Sequence, residues 1–514
     1  AVTIGHIPPA LRVSEAPSQF SYLESLLDEF SNADGLDPNR RERLKESIRV
    51  EAEALGIEAD LGINDQCSHS EALSRIDRFV CDIKETQFGD GLHIFGRKCQ
   101  QILPFKTECS ELAEQQAIRN ALSGKRISAG PSGSPYRGRM DVLPSGRNLF
   151  ATDPLSVPTR AAYAQGIKLA EEFIRRHLQD NGDWPSGVIV DLWGSATMRT
   201  AGEEFAMALH LLGVKPLWAE GSERVSGFEI LPLATLDRPR IDVTLRVSGL
   251  FRDVFPTLSN LYQQAILAVS RREESADWNP YISGAETARI YGPAPGSYGL
   301  GMGFAPEQFS DDGRKAAAEA WLEASSYAIN GEKIYKDEEG LKDRVAKADS
   351  FVHLQDMPET DLLLSADYAA HEAGFAAAKA SIGGNVSLYH LDNTDPENPT
   401  SRTLTEEIAR IVYARACNPN WLDGMKRHGF RGAAEISATL VHMAAFANLA
   451  DVVGSHLFDS YHDATIGNDD IVKFMSEHNP EALTAMRDCF EQLYNSGLWK
   501  TRRNFILGDL GIPA

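Results

Sequence analysis

The sequence predicts an α/β protein: a Rossmann-like α/β core with a helical amino-terminal segment and a carboxyl-terminal helical layer. Three observations predict it. Residues 188–193 (VIVDLW) form an apolar run broken only by Asp191, the pattern of a strand buried on both faces. A helical pattern follows and stops at Gly213, after which 214–218 and the β-branched run 241–247 (IDVTLRV) read as two further strands. Both ends of the chain carry long stretches with apolar residues three or four apart, the spacing of amphipathic helices.

Taken in order, residues 1–126 are a mainly helical segment continuing from an upstream part: SYLESLLDEFSNA, NRRERLKESIRVEAEALGI and SEALSRIDRFVCDIKETQF each carry the helical spacing. Gly89 to Arg97 interrupts it with GLHIFGR, and His93 sits in that turn. Residues 127–349 form the α/β core with its substrate-facing loops. Their first part, 127–160, is dense in Gly, Pro and Ser, a composition of turns and connectors. A helix over 158–180 leads into the first strand. Thr200 with Glu203 three residues later reads as a capping box, hydroxyl and carboxylate each satisfying an orphan N–H. Later come helices near 260–271 and over RKAAAEAWLEASSYAI. Residues 350–514 form the helical carboxyl-terminal region. There DLLLSADYAAHEAGFAAAKASIGG ends on a Gly-Gly stop, Thr403 and Glu406 make a second capping box, and 432–464 read as one long apolar helix.

If the sheet is parallel, a ligand belongs where loops leave its carboxyl edge. One such loop carries Ser195, Thr197, Arg199 and Thr200; another carries Ser248, Gly249, Arg252 and Asp253. Two arginines with hydroxyls and carboxylates suit a ligand bearing carboxylates or amides. The alternative is that Arg252 and Asp253 form a local salt bridge while Thr200 merely caps a helix. Five glycines between Gly292 and Gly303 invite a phosphate loop, but no GKS or GKT follows, and ATP is not expected to bind here.

Composition narrows the class. The chain has 514 residues, 73 acidic against 51 basic, and a formal net charge of −22. That balance argues against nucleic acid or an anionic membrane as main partner, since both would be repelled. The six cysteines are too scattered for a zinc ribbon or a dense disulfide framework, so reduced thiols are expected. No uncharged apolar stretch approaches membrane-spanning length, and the start lacks a basic-then-apolar leader. A cytoplasmic protein is expected.

WGSATMRTAGEEFAMALHLLGVKPLW followed by RPRIDVTLRVSGLFRDVFP resembles the large subunit of the tetrapyrrole metal chelatases, the CobN/magnesium-chelatase family. GDGLHIFGR at 89–97, GPSGSPYRGRMDVLPSGRNLFATDPLSVPTRAA at 130–162, PGSYGLGMG at 295–303 and NPNWLDGMKRHGFRGAAEI at 418–436 resemble it too, in the same order. The blocks are those of the family's carboxyl-terminal part, and the cobalt branch is the nearer. The resemblance therefore implies a fragment, or one piece of a split subunit, whose missing amino-terminal part shares the substrate cavity. It implies hydrogenobyrinate a,c-diamide as macrocycle, Co²⁺ as substrate in cobalamin biosynthesis, and AAA+ ATPase partners of the CobS and CobT type that use ATP and Mg²⁺. The runner-up is a magnesium-chelatase-like subunit acting on protoporphyrin IX. A non-catalytic tetrapyrrole-binding or interaction module is the third reading.

Metallation removes two protons from pyrrole nitrogens and part of the metal's water shell, so it needs a base near neutrality and an oxygen or imidazole ligand. Asp367, His371 and Glu372 offer both: Asp367 and His371 stand at i and i+4, with Glu372 beside them. The segment aligns loosely with a family region carrying an active-site His followed by an acid. His371 and Glu372 are the expected catalytic pair, with Asp367 joining them as metal ligands. Arg199, Thr200, Glu203, Arg252 and Asp253, with His93, are the expected substrate-binding residues. Two other clusters, His456/Asp459/Asp463 with His462 and His390/Asp392/Asp395, read as structural, the latter in a turn-rich loop.

Overall fold

The computed structural model describes residues 3–32, 38–64, 66–98, 103–107, 109–150, 153–283, 287–303, 309–331 and 333–510. Its centre is an eight-stranded sheet of β1 (Gly187–Leu192), β2 (Asp242–Val247), β3 (Ile290–Gly292), β4 (Tyr327–Asn330), β5 (Lys333–Lys336), β6 (Ser350–Gln355), β7 (Ser387–Asp392) and β8 (Thr400–Thr403). The spatial order is β5-β4-β3-β2-β1-β6-β7-β8. Five strands, β3-β2-β1-β6-β7, are parallel, while β4, β5 and β8 close the two edges antiparallel. The chain winds outward from β1 through β2 and β3, then returns to β6 on the other side of β1. That reversal makes the β1/β6 boundary a topological switch point, where helix and strand ends diverge and leave a crevice.

Both faces are covered, as near-continuous apolar strands require. Val188, Val190, Leu245, Val352 and Leu391 pack beneath the helices Arg160–Asn181, Glu203–Leu212 and Pro256–Ser270. Ile189 and Phe351 pack with Trp321 and Phe375 of the opposite helices, Asp311–Ala324 and Gly374–Ile382. The two terminal helical regions share one further core. Phe20, Ile48, Ile76 and Ile83 belong to the same cluster as Ile408, Trp421, Met443 and Phe458.

Four elements differ from the sequence expectation. Val214–Trp218 does not join the sheet. It pairs antiparallel with Val225–Ile230 as a separate hairpin, and Pro216 would in any case withhold a ladder donor. Residues 350–403 contribute three strands, so the boundary expected at 349 falls inside one sheet. Tyr327–Asn330, expected as the end of a helix, is a strand, the second from the sheet's edge. The long apolar helix is two, Gly429–Ala450 and Ser455–Ala464, broken after Asp451 takes a left-handed φ of 56°.

Thr403 and Glu406 form the reciprocal capping box. At Thr200 only half of one forms. Its hydroxyl accepts from Glu203 N at 3.2 Å, but Glu203 turns its carboxylate to Arg137 and Asn393. Cys67, Cys81, Cys109, Cys417 and Cys489 are free thiols, and Cys99 lies outside the described residues. Among the described residues one helix, Gly429–Ala450, is long and apolar enough to cross a membrane, with 67% of its apolar window buried inside the fold.

Candidate active site at the carboxyl edge of the sheet

Near the carboxyl ends of the strands, residues in register form a row across six of them: Tyr291, Arg246, Asp191, His353, His390 and Arg402. All six are buried. Alternation along a strand puts them on the face that Ile189 and Phe351 occupy, so this face is apolar in its middle and ionisable at its edge. Such a layer persists only when each charge has a partner.

The partners come from the helix over residues 366–382. Its turn Ala369–Ala373 is a π-helix. The wider turn lets two consecutive residues, His371 and Glu372, both face the sheet, and π turns recur at functional positions. His371 Nδ1 lies 2.7 Å from Asp191 Oδ2, and His390 Nδ1 lies 3.3 Å from Glu372 Oε1. The two pairs are crossed: strand acid with helix imidazole, then strand imidazole with helix acid.

Asp191 is the hub. Arg246 Nη1 donates to its Oδ1 at 3.1 Å, Trp193 Nε1 to its Oδ2 at 2.7 Å, and His353 Nδ1 lies 3.3 Å from Oδ2. Nδ1 of His371 also has Arg246 Nη1 at 2.8 Å and Trp193 Nε1 at 3.0 Å. Placing a proton on His371 Nδ1 resolves the set: the imidazole donates to Asp191, and the arginine and indole N–H groups also find carboxylate oxygens. The lone pair then resides on Nε2, which has no hydrogen-bond partner among the described residues. Trp193 stacks on Tyr368 with centroids 5.2 Å apart and meets both His371 and His353 edge-on at 4.8 Å, fixing both rings.

The electrostatics follow from burial and partners. Burial alone would raise the Asp191 pKa, but His371 and Arg246 outweigh it and hold the carboxyl well below its ordinary range. For His371 burial dominates and lowers the pKa despite Asp191, giving a neutral imidazole at neutral pH. For His390 the balance reverses: burial lowers, but Glu372 beside it raises the pKa.

Beyond His390 the row opens on a cleft of about 510 Å³. Seven carboxylates line it, among them Asp82, Glu85, Asp361, Asp392, Asp395 and Glu407, with Arg402, Arg410 and Arg415 between them. Arg402 and Arg410 both pair with Glu407, at 3.4 and 2.5 Å. Burial would raise Asp392, but Arg402 and Arg410 bring it down to about 2.

The expected residues are distributed as follows. His371 and Glu372 lie in the layer. Asp367 does not: it is exposed while His371 is buried, because the intervening π turn breaks the i, i+4 alignment. Among the described residues no three His, Cys, Asp or Glu side chains are placed to hold a metal ion, so the expected ligand trio of Asp367, His371 and Glu372 is not assembled. Arg199 forms a bidentate pair with Asp356, 2.7 Å on each arm. Glu203 is bound by Arg137 at 2.9 Å and by Asn393 at 2.5 Å. Arg252 does form the local salt bridge, 2.7 Å to Asp253, and also donates to the carbonyls of Pro293 and Ala294. It thus anchors the glycine-rich loop, whose Ser297 carbonyl runs so close to Gly249 that a Cβ there would lie 2.7 Å away. His93 is in a different place, 2.9 Å from Glu114, which also accepts from Gly96 N and Ser145 Oγ.

Sequence reasoning missed Arg246, His353 and Glu204 and put His390 in a loop rather than in β7. Glu204 is buried against the hydroxyls of Thr197 and Thr200, at 2.5 and 2.9 Å, and burial pushes its pKa up to about 7. The other cluster read as structural disperses: His456 pairs with Asp60, Asp459 accepts from Trp499, and Asp463 pairs with Arg503.

The chain matches the CobN/Magnesium Chelatase family over residues 1–103 and 98–506. It is 33% identical to the aerobic cobaltochelatase subunit CobN of Sinorhizobium sp, over 100% of this chain and 52% of that protein. Among solved structures the catalytic subunit of cobaltochelatase from Mycobacterium tuberculosis superposes with a TM-score of 0.89 at 28% identity, covering 99% of this chain and 52% of that one. The magnesium-chelatase subunit ChlH of Oryza sativa subsp. japonica is more distant, 26% identical over 79% of this chain and 31% of that protein. The chain thus spans about half the length of the cobaltochelatase relatives it matches. Matched along nearly its whole length, it belongs to the CobN/magnesium chelatase family.

Proposed function

We propose that this chain is the carboxyl-terminal part of a cobaltochelatase large subunit, binding hydrogenobyrinate a,c-diamide and supporting ATP-dependent Co²⁺ insertion for cobalamin biosynthesis in the cytoplasm. One observation carries the chemistry: a neutral His371, its Nδ1 held by Asp191 at 2.7 Å, placed at the switch point with Nε2 free. Insertion replaces two pyrrole N–H bonds by bonds to the metal. Nε2 takes a proton from a pyrrole nitrogen, Asp191 stabilises the imidazolium that forms, and Arg246 keeps Asp191 ionised. Burial lowers the proton affinity of His371, so the base returns the proton readily.

Arg199, Thr200, Glu203, Arg252 and Asp253 shape the rim of this site. Each already has a partner inside the fold, so their role is to hold the loops against the macrocycle rather than to exchange protons. His93 braces the 89–97 turn through Glu114. Co²⁺ is a substrate, and its transient ligands are assigned to the macrocycle and to the remainder of the subunit. ATP and Mg²⁺ are used by AAA+ partner subunits of the CobS and CobT type.

The test is a titration of this chain, and of the full-length subunit, with hydrogenobyrinate a,c-diamide, followed by visible absorption and tryptophan quenching. The full-length subunit is then given Co²⁺ or Mg²⁺ with its ATPase partners. Saturable binding and Co²⁺ insertion are expected. Insertion of Mg²⁺ into protoporphyrin IX instead would move the chain to the magnesium branch. Absence of pigment binding by the folded full-length subunit would refute the reading.

A further inference from the structure

Single apolar side chains on a surface need no explanation, whereas several on one face do. The helix Ser110–Leu122 leaves Leu112 63%, Ile118 42% and Leu122 85% exposed. At 3.6 residues per turn these three fall within about 120° of one another, opposite the buried Ser110, Glu114 and Ala117. The neighbouring turn extends the face: Gln115 Nε2 donates to the Gly96 carbonyl at 2.6 Å, and Ile94 of that turn is 46% exposed. Basic residues flank it. Arg119 lies on the same side of the helix, Lys125 and Arg126 follow its end, and Arg97 and Lys98 follow the turn. All five are exposed, and none is ion-paired among the described residues. Residues 97–126 hold six basic and three acidic residues, in a chain with 73 acidic against 51 basic. One of those three acids, Glu114, is turned inward to His93. The face is therefore apolar with a positive rim on an otherwise acidic protein.

Relatives carry additional chain at this point. The match to the CobN of Sinorhizobium sp runs over 660 residues against the 514 of this chain, and that to the CobN of Pseudomonas aeruginosa over 630 residues for 97% of it. The family match comes in two parts that meet at 98–103, between Ile94 and Leu112. We propose that the exposed face of Ser110–Leu122 docks an acidic amphipathic helix, supplied by a separate polypeptide in place of the segment that the relatives carry within the same chain. Leu112, Ile118 and Leu122 pack into the apolar side of that helix, and its flanking acids meet Arg97, Lys98, Arg119, Lys125 and Arg126. A second copy fits less well, because a two-fold contact would set the positive rim against itself. An anionic membrane would be repelled by the net charge of −22. The docking rests on family membership and is independent of the reaction assigned above.

The test titrates the 514-residue chain with a fluorescently labelled polypeptide, the segment of the Sinorhizobium CobN that falls between its matches to Lys98 and Leu103, followed by anisotropy. Saturable binding is expected. Ile118→Asp with Leu122→Asp should weaken it at least about tenfold, as should Arg119→Glu with Lys125→Glu and Arg126→Glu. Val50→Asp, at an exposed position of the helix Pro38–Ala54, should leave Kd within about twofold. Circular dichroism confirms that each variant is folded. A second measurement removes the dependence on affinity: the same segment is joined into this chain between Lys98 and Leu103, where tethering gives an effective concentration of about millimolar. Amide exchange of residues 110–122 is then expected to slow about tenfold or more. No binding of the free segment together with unchanged exchange in the joined chain would overturn the proposal, and so would binding that survives the Asp variants. Light scattering at twice the chain mass, abolished by Ile118→Asp with Leu122→Asp, would give the face to a second copy. Co-sedimentation with phosphatidylglycerol vesicles, abolished the same way, would give it to a membrane; either result overturns the proposal.

Discussion

Asp191→Asn is the substitution with the best-defined magnitude. It preserves shape and removes one charge. The Asp191 side chain is fully buried and that of Arg246 is 2% exposed, so water cannot replace the lost carboxylate. Arg246 would keep Ser325 Oγ at 3.2 Å as a neutral acceptor. The new amide oxygen could still accept from Trp193, which limits the damage to the charge. Breaking a buried pair from one side costs about 3–5 kcal/mol, and 4 kcal/mol is nearly a thousandfold in the folding equilibrium at about 1.4 kcal/mol per decade. The assay is urea unfolding of this chain at pH 7.5, followed by tryptophan fluorescence. Adding Arg246→Met should recover part of the loss, because the stranded cation goes with its partner. If Asp191→Asn unfolds within about 1 kcal/mol of wild type, the hub is not sustaining a buried ion pair and the site argument fails.

Other expectations concern pH and close packing. Glu204 has its pKa raised to about 7, so the folded state binds a proton that the unfolded chain has already lost. Its contribution is fully present below about pH 4.5 and is lost as pH rises through 7, roughly 3 kcal/mol in all. Glu204→Gln should therefore flatten the fall of stability between pH 5 and 8 in urea titrations; an unchanged slope would remove Glu204 as its source. His210 has its pKa lowered to about 4 by burial, so its contribution is present above about 6.5 and is lost as pH falls toward 4. His210→Gln should reduce that acid-side loss. Asp392, held at about 2 by Arg402 and Arg410, contributes roughly 2 kcal/mol that disappears only below pH 4. Gly432→Ala would set a Cβ 1.9 Å from the Met425 carbonyl. Neither helix backbone can give that much, so loss of folded protein on expression, read by circular dichroism, is the expected outcome.

Much of the architecture was legible because buried strands and amphipathic helices leave different periods. The runs at 188–193 and 241–247 showed the parallel core, and Thr403 with Glu406 placed a helix start to the residue. What stayed hidden was pairing. Val214–Trp218 has a strand's composition, but nothing local says that its partner is a hairpin arm rather than the sheet. SFVHLQ and SLYHLD look like polar interruptions because His353 and His390 occupy inward positions that are normally apolar. In hindsight each of four parallel strands carries one ionisable residue near its carboxyl end: Asp191, Arg246, His353 and His390. That recurrence was the available signal. The same holds for Asp367 and His371, whose i, i+4 spacing promised a shared face until the π turn shifted it. Which residues face a macrocycle depends on loops from distant parts of the chain, and no local pattern encodes that.

The most direct measurement is single-turnover Co²⁺ insertion by the full-length subunit carrying His371→Gln, with macrocycle affinity measured in parallel. Loss of a general base predicts a rate lower by about a hundredfold or more with Kd within about twofold of wild type. Insertion at the wild-type rate would contradict the claim that His371 takes the pyrrole proton.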